Sequence, residues 1–303
     1  MDAAINKHFR QNIKERKQLT GGYTFKTWLL VLEDGQKVVF RTRSDFKTGG
    51  GRRIIIVDVF EREKFFYNSV NKSLGHICPE VYVIDGTGEY YDMPYQISEY
   101  LEGTPLNQCF DDFNAQQKED IYFRIGEITA GINNLEIDNH HPYILTRGIW
   151  EDFFTQRLRE RLLPLVKNEV ITHIEIDRII DGMRDKKAER TLSFMHLDMR
   201  FINMMFNNGR IFVFDAENCE FGDPLFELAV LEMNGYLTEP FLAGYTSVFG
   251  EMPDLDNDLF SFYKMERQAL VLDVFMNAVK NDEAMKQQYL TSFLTLKNRL
   301  LHK

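Results

Sequence analysis

Phe194-Met-His196-Leu-Asp198-Met-Arg-Phe-Ile-Asn203 is the stretch on which the reading of this chain turns. Its spacing is H-x-D-x-x-x-x-N. Beyond the polar turn Asn207-Asn-Gly209, the apolar run Ile211 to Phe214 ends in a second acidic pair, Asp215-Ala-Glu217. A carboxylate able to accept a proton, followed by two oxygen donors suited to magnesium, is what ATP-dependent phosphoryl transfer requires. Asp198 is the candidate proton acceptor, in a loop after the apolar Leu192-Ser-Phe194-Met195. Asn203 and Asp215 offer the hard oxygens that Mg²⁺ favours beside phosphates and water. His196 is counted with the catalytic residues, and holding the loop by hydrogen bonds is its expected task. Glu217 has two open readings, a further metal-side ligand or a helix-capping acid.

Working outward, Leu19-Thr-Gly21-Gly22-Tyr-Thr24 places adjacent glycines between two strand-like segments. Glycine pairs let backbone amides approach phosphate oxygens closely. The loop precedes the strand Val38-Val-Phe40-Arg41 by a hairpin's length, as a nucleotide-covering loop should. Arg41 closes that apolar strand, and a cation there needs a charged partner or a phosphate. Glu63, on the following helical segment, is the candidate partner. Arg43 points the same way and competes with it, but Arg41 is preferred. The segment Lys47 to Arg53 is rich in glycine but lacks the G-x-x-x-x-G-K-[ST] pattern, so it reads as a flexible basic loop. His140-His141 and Glu175/Asp177 show no metal spacing.

The periodicity places strands at Tyr23 to Leu32, Lys37 to Arg43, Val81 to Ile84 and Tyr95 to Tyr100, and one amphipathic helix over Asp58 to Val70. Glu33-Asp-Gly35-Gln36 is a hairpin turn. From Leu101 the pattern becomes helical, with Gln116 to Leu135 and Trp150 to Val166 as the plainest stretches, and Asp223-Pro224 starts another helix. The expected fold is α+β. It has a small antiparallel-sheet N-lobe over 1–100 and a larger, mostly helical C-lobe over 101–303, with a hinge near residues 99–103.

Composition narrows the function classes. With 46 acidic and 36 basic residues the formal net charge is -10, which disfavours a nucleic-acid partner. Three cysteines, Cys78, Cys109 and Cys219, lie far apart without C-x-x-C spacing and fit a reducing compartment. Apolar runs are too short to span a bilayer, and the N-terminus carries no apolar signal segment. The expectation is a cytoplasmic protein with no membrane partner. Oligomeric state is left open.

Taken in order, these residues resemble the aminoglycoside phosphotransferase and choline kinase-like superfamily, which has a protein-kinase-like fold. The likeness runs from Gly21-Gly22, Arg41 and Arg62-Glu63 through Pro79-Glu-Val81 and Ser98-Glu99-Tyr-Leu101-Glu-Gly103. It continues through Ile125-Gly126 to Asn133, Trp150, the His196 to Asn203 loop, Asp215-Ala-Glu217 and Gly222-Asp-Pro224 to Glu227-Leu-Ala229. The resemblance implies Asp198 as base, Asn203 and Asp215 as Mg²⁺ ligands, and Arg41 on the phosphates of ATP or GTP. It implies also that Glu99 and Leu101 present backbone groups to the purine. Four positions depart from the pattern: Leu197 stands for the usual Gly, Asn133 for a frequent His, Glu227 for an Asp, and Ala216 for a frequent aromatic.

The leading expectation is therefore a phosphotransferase acting on a small-molecule hydroxyl, such as an aminoglycoside, an amino alcohol or a sugar-type metabolite. A nucleotide-binding pseudokinase without turnover is the alternative, and the presence of Asp198, Asn203 and Asp215 speaks against it. A protein kinase is disfavoured because Gly222-Asp-Pro224 follows Asp215 too closely for a peptide-docking activation segment.

Overall fold

The computed structural model describes residues 1–19, 25–43, 56–135, 149–184, 186, 192–277 and 282–302. Gly21, Gly22, the Lys47 to Arg53 loop and His140-His141 lie outside them, as does the side chain of Arg43. By packing, the chain divides into two units: Met1–Asn114 with Met199–Cys219, and Ala115–Asp198 with Glu220–Lys303.

The first unit holds a five-stranded sheet whose neighbouring strands all run antiparallel. Its strands are β1 (Ile13–Leu19), β2 (Phe25–Leu32), β3 (Lys37–Arg43), β4 (Val81–Asp85) and β5 (Tyr95–Glu99), in the order β1-β2-β3-β5-β4. The β2–β3 hairpin closes as expected through Gly35, whose φ of 88° needs a residue without a Cβ. Helix α1 (Asp2–Phe9) buries Ala4 and Ile5 with Leu30, Leu32, Val38, Phe40, Tyr95 and Ile97, and half-buried Trp28 packs on this cluster. Helix α2 (Ile56–Leu74) buries Phe60, Glu63, Phe66, Tyr67 and Val70 at helical spacing.

A second, three-stranded sheet completes this unit: β6 (Thr104–Pro105), β8 (Met204–Asn207) and β9 (Arg210–Val213), with helix α3 (Leu106–Cys109) following β6. Its β8–β9 turn has φ of 50° at Asn208 and 81° at Gly209, the pair of left-handed residues that a tight hairpin of matching twist requires. The pairing Thr104↔Phe206 ties 101–114 to 199–219, and both stretches fall in the unit that holds the five-stranded sheet. Gly103 makes that approach possible, since a Cβ there would meet the Phe206 carbonyl at 2.6 Å.

The second unit is mostly helical. It contains α4 (Ala115–Asn133), α5 (Trp150–Val166), α6 (His173–Arg184), α7 (Pro224–Met233), α8 (Glu239–Phe249), α9 (Asp258–Asn277) and α10 (Glu283–Leu301). The short strands β7 (Ser193–Met195) and β10 (Glu220–Gly222) pair antiparallel within it. Asp223 caps α7 by accepting from the Leu225 amide at 2.9 Å, with Pro224 in the first turn. Trp150 is buried against Phe154, Phe226 and Tyr263 and donates from Nε1 to the Tyr263 hydroxyl at 3.0 Å. The Tyr263 hydroxyl in turn donates to Asp223 at 2.8 Å.

Candidate active site

In the first unit, β3 and α2 bring Arg41 and Glu63 together, as the sequence predicts. Arg41 Nη1 lies 2.7 and 2.9 Å from the two Glu63 oxygens, and Nη2 lies 2.8 Å from Asp215 Oδ1. The guanidinium sits over the rings of Phe25 and Phe60, at 4.6 and 5.9 Å from their centroids. Glu63, fully buried, also accepts from the Tyr67 hydroxyl at 2.7 Å and from Gln96 Nε2 at 3.1 Å. Burial opposes ionisation of Glu63, but Arg41 and these donors overcome it and hold the carboxylate below its ordinary pKa. Burial likewise opposes the charge of Arg41, and Glu63 with Asp215 outweighs it and raises the guanidinium above its ordinary value. Tyr67 and Gln96 carry no sequence signal. Their polar ends inside apolar patterns are the only hint.

The segment that follows β9 is fastened residue by residue. The Val213 amide donates to Ile77 O at 2.7 Å and the Phe214 amide to Asn203 O at 3.0 Å. Asp215 then turns with φ of 61°, left-handed for a residue that bears a Cβ. Asn203 is buried and Asp215 half-buried, and both belong to this unit. Their hard oxygens fit a magnesium ion, because a carboxylate has lone pairs beyond the one that Arg41 engages. Among the described residues no group of three or more His, Cys, Asp or Glu could hold a metal ion. Mg²⁺ held by one carboxylate, one amide oxygen and substrate phosphates needs no such group. The Glu217 carbonyl accepts from Arg62 Nη2 at 2.6 Å. The side chain of Glu99 pairs with His76 at 2.7 Å and accepts from the Glu80 amide at 3.1 Å, while Leu101 is buried.

In the second unit, the loop before Asp198 is clasped from helices α7 and α9. Glu227 of α7 accepts from the amides of His196 and Leu197, the latter at 2.9 Å. Arg267 of α9 donates to Leu197 O at 3.1 Å. Leu197 itself is fully buried with φ of 59°, a left-handed conformation that glycine adopts more cheaply than leucine. Burial pushes the Glu227 carboxyl up to about 7, against the pull of the two amides and Arg267. His196 is buried, and its Nδ1 accepts from the Asp198 amide at 3.2 Å, a loop-holding contact. Asn133, at the end of α4, donates to Phe194 O at 2.8 Å and accepts from the Tyr245 hydroxyl at 3.2 Å. Behind Arg267, the buried Glu266 is ion-paired with Arg157 at 2.7 Å and Arg161 at 3.2 Å. The glutamate at 227 was visible in the sequence as a departure. The Arg267 contact was not, although a Glu-Arg pair inside the apolar run of α9 is a signal of buried charge.

The chain matches the phosphotransferase enzyme family over residues 15–257. It is 24% identical, over 84% of its own length and 86% of the relative's, to a probable ketoamine kinase of Vibrio parahaemolyticus. Among solved structures it is similar to an aminoglycoside phosphotransferase in ternary complex with streptomycin and ATP, at 16% identity and TM-score 0.68, covering 98% of this chain and 96% of that one. It is similar also to a putative fructosamine-3-kinase from Thermobifida fusca, at 13% identity and TM-score 0.67, covering 100% and 99% of the two chains. The α+β fold is thus the protein-kinase-like fold of these enzymes.

Proposed function

The chain belongs to the phosphotransferase enzyme family and is a small-molecule kinase, and from that premise we propose that it transfers the γ-phosphoryl group of ATP to a hydroxyl of a small molecule. The observation that carries the reading is the buried Arg41, whose guanidinium joins Glu63 to Asp215. A strand cation held by a helix carboxylate and set against a metal-side carboxylate is the arrangement by which protein-kinase-type sites hold phosphates and metal.

Each residue has a task. Asp198 accepts the proton of the acceptor hydroxyl, and His196 holds its backbone. Asn203 and Asp215 hold Mg²⁺, whose charge, when bound, offsets that of the phosphates. Arg41 orients the phosphates with donors beyond those spent on Glu63 and Asp215, and the Gly21-Gly22 loop covers them. Glu99 and Leu101 meet the purine through their backbone. Glu217 supports the metal side. ATP is preferred to GTP as donor, since a similar structure carries ATP. The acceptor is a sugar-type molecule that also bears an amine-derived nitrogen, a reading supported by the likeness to a probable ketoamine kinase and to a phosphotransferase complexed with streptomycin. The cytoplasm suits Cys78, Cys109 and Cys219, none of which is in a disulfide, and among the described residues no helix is long and apolar enough to cross a membrane.

The test is ATP- and GTP-dependent nucleoside diphosphate release across ketoamines, aminoglycosides, choline and simple sugars. Asp198→Ala is expected to lower turnover about 10²- to 10⁴-fold, the range for loss of a positioned base. Equal release by wild type and Asp198→Ala with every acceptor would remove the assignment. Tight nucleotide binding without turnover on any acceptor would favour the pseudokinase reading instead.

A further inference from the structure

The segment carrying Asp215 is held on its C-terminal side by helix α2, through two side chains that lie outside the proposed catalytic set. The Tyr67 hydroxyl donates to Glu63 at 2.7 Å and accepts from the Ala216 amide at 3.3 Å. Arg62, one residue before Glu63, donates to the Glu217 carbonyl at 2.6 Å. Cys219 Sγ lies 3.9 Å from the Arg62 carbonyl, closing the same stretch again. Upstream, the amides of Val213 and Phe214 are bound to Ile77 and Asn203. Asp215 therefore occupies its left-handed conformation between a fixed residue on one side and two fixed residues on the other.

Ala216 matters here. It is fully buried, and the hydroxyl of Tyr67 stands against its amide. An alanine contributes no large side chain to anchor the turn, so the anchor is supplied from α2. A backbone amide buried without a partner is costly, which makes the tyrosine oxygen a directional constraint as well as filler. The same oxygen donates to the carboxylate that pairs with Arg41. One hydroxyl thus couples the Arg41–Glu63 pair to the backbone next to Asp215.

We propose that Tyr67 and Arg62 are positioning residues for the divalent cation, acting by fixing the backbone of the two residues that follow Asp215. The proposal rests on the reading of Asp215 as a Mg²⁺ ligand. It predicts that the affinity for metal depends on two groups that never touch metal.

The experiment is titration of Mn²⁺ by electron paramagnetic resonance in the presence of ADP, on the full chain. Tyr67→Phe keeps the ring and removes one oxygen, and Arg62→Met removes the donor to Glu217. Both are expected to weaken Mn²⁺ binding about tenfold or more, the usual effect of losing a group that orients a ligand. Arg62→Lys is expected to recover part of the loss. ADP affinity of Arg62→Met measured in EDTA should not change, which separates metal positioning from general damage. Thermal unfolding verifies that each variant folds. Unchanged Mn²⁺ affinity in folded Tyr67→Phe and Arg62→Met would overturn the proposal. Asp215→Ala identifies which reading has failed. If that change too leaves Mn²⁺ affinity untouched, the metal-ligand role of Asp215 is wrong. If it abolishes binding while the other two do not, only the positioning role is wrong.

Discussion

Leu197 in the helical unit and Asp215 in the sheet unit share a backbone oddity, φ of 59° and 61°, and are held in it by opposite means. At Leu197 the restraint is a single buried carboxylate, Glu227, helped by Arg267. At Asp215 it is an ion pair with Arg41, itself locked by Glu63, Tyr67 and Gln96. The pKa values diverge accordingly. Burial lifts Glu227 to about 7, whereas Arg41 outweighs burial at Glu63 and holds it below the ordinary value. The first clasp titrates in the neutral range and the second does not. A buried acid with only amides as close partners stays sensitive to pH, and the same acid with a cation in contact is fixed.

The largest expected effect breaks the second clasp. Glu63→Ala leaves Arg41 buried with its main partner gone, and about 3–5 kcal/mol of stability should be lost, measured by urea unfolding. A loss under about 1 kcal/mol would mean that Asp215 alone can satisfy Arg41, and the contrast would collapse.

The pH dependence comes next. The folded-state pKa of Glu227, about 7, lies above its ordinary 4.5, so the folded chain holds this proton more tightly than the unfolded one. The associated stability is fully present below pH 4.5 and is lost as pH rises through about 7. Tighter proton binding by a factor of ten corresponds to about 1.4 kcal/mol, so the whole effect is roughly 3 kcal/mol as an upper figure. Glu227→Gln cannot titrate, so the wild-type stability minus that of the variant should fall between pH 5 and pH 8. A flat difference would show that the carboxyl is not raised. Catalysis is expected to move the other way, because the ionised carboxylate is the better acceptor for the His196 and Leu197 amides.

The smallest effect sharpens the comparison. Leu197→Gly relieves about 1–2 kcal/mol of left-handed strain and sacrifices a buried leucine worth about 2–5 kcal/mol. The net is expected to be a loss of about 1–3 kcal/mol in thermal or urea unfolding. A gain in stability would mean that strain, not packing, dominates at this loop.

How much of this was legible in the sequence depends on the residue. Lys37–Arg43 and Trp150–Val166 fall where the sequence puts them, because both have strong apolar periodicity and clear ends. Asp223-Pro224 begins its helix as read, and Arg41 pairs with Glu63. Strand β1 leaves no apolar period in the sequence because Ile13–Leu19 is polar almost throughout: it is an edge strand, paired on one side only, and its interior is exposed. Helix α1 is too short to announce itself by period. Among site residues, Tyr67, Gln96 and Arg267 belong to no motif, since what they do is satisfy groups brought near by folding. Gly21 and Gly22 lie outside the described residues, and their phosphate-loop role remains a proposal.

Trp28 and Trp150 are the chain's two tryptophans, and they fall one to each unit. Trp28 is half-buried beside Phe40 at 6.2 Å between ring centroids, whereas Trp150 is buried with its indole N–H bound to Tyr263. Their emission should therefore differ in wavelength and in accessibility to an aqueous quencher. Trp28→Phe and Trp150→Phe would each leave a single fluorophore, so that one optical signal follows the sheet unit and the other the helical unit. Denaturation of the two halves, or their separate response to ADP, can then be watched in an ordinary fluorimeter without attaching any label.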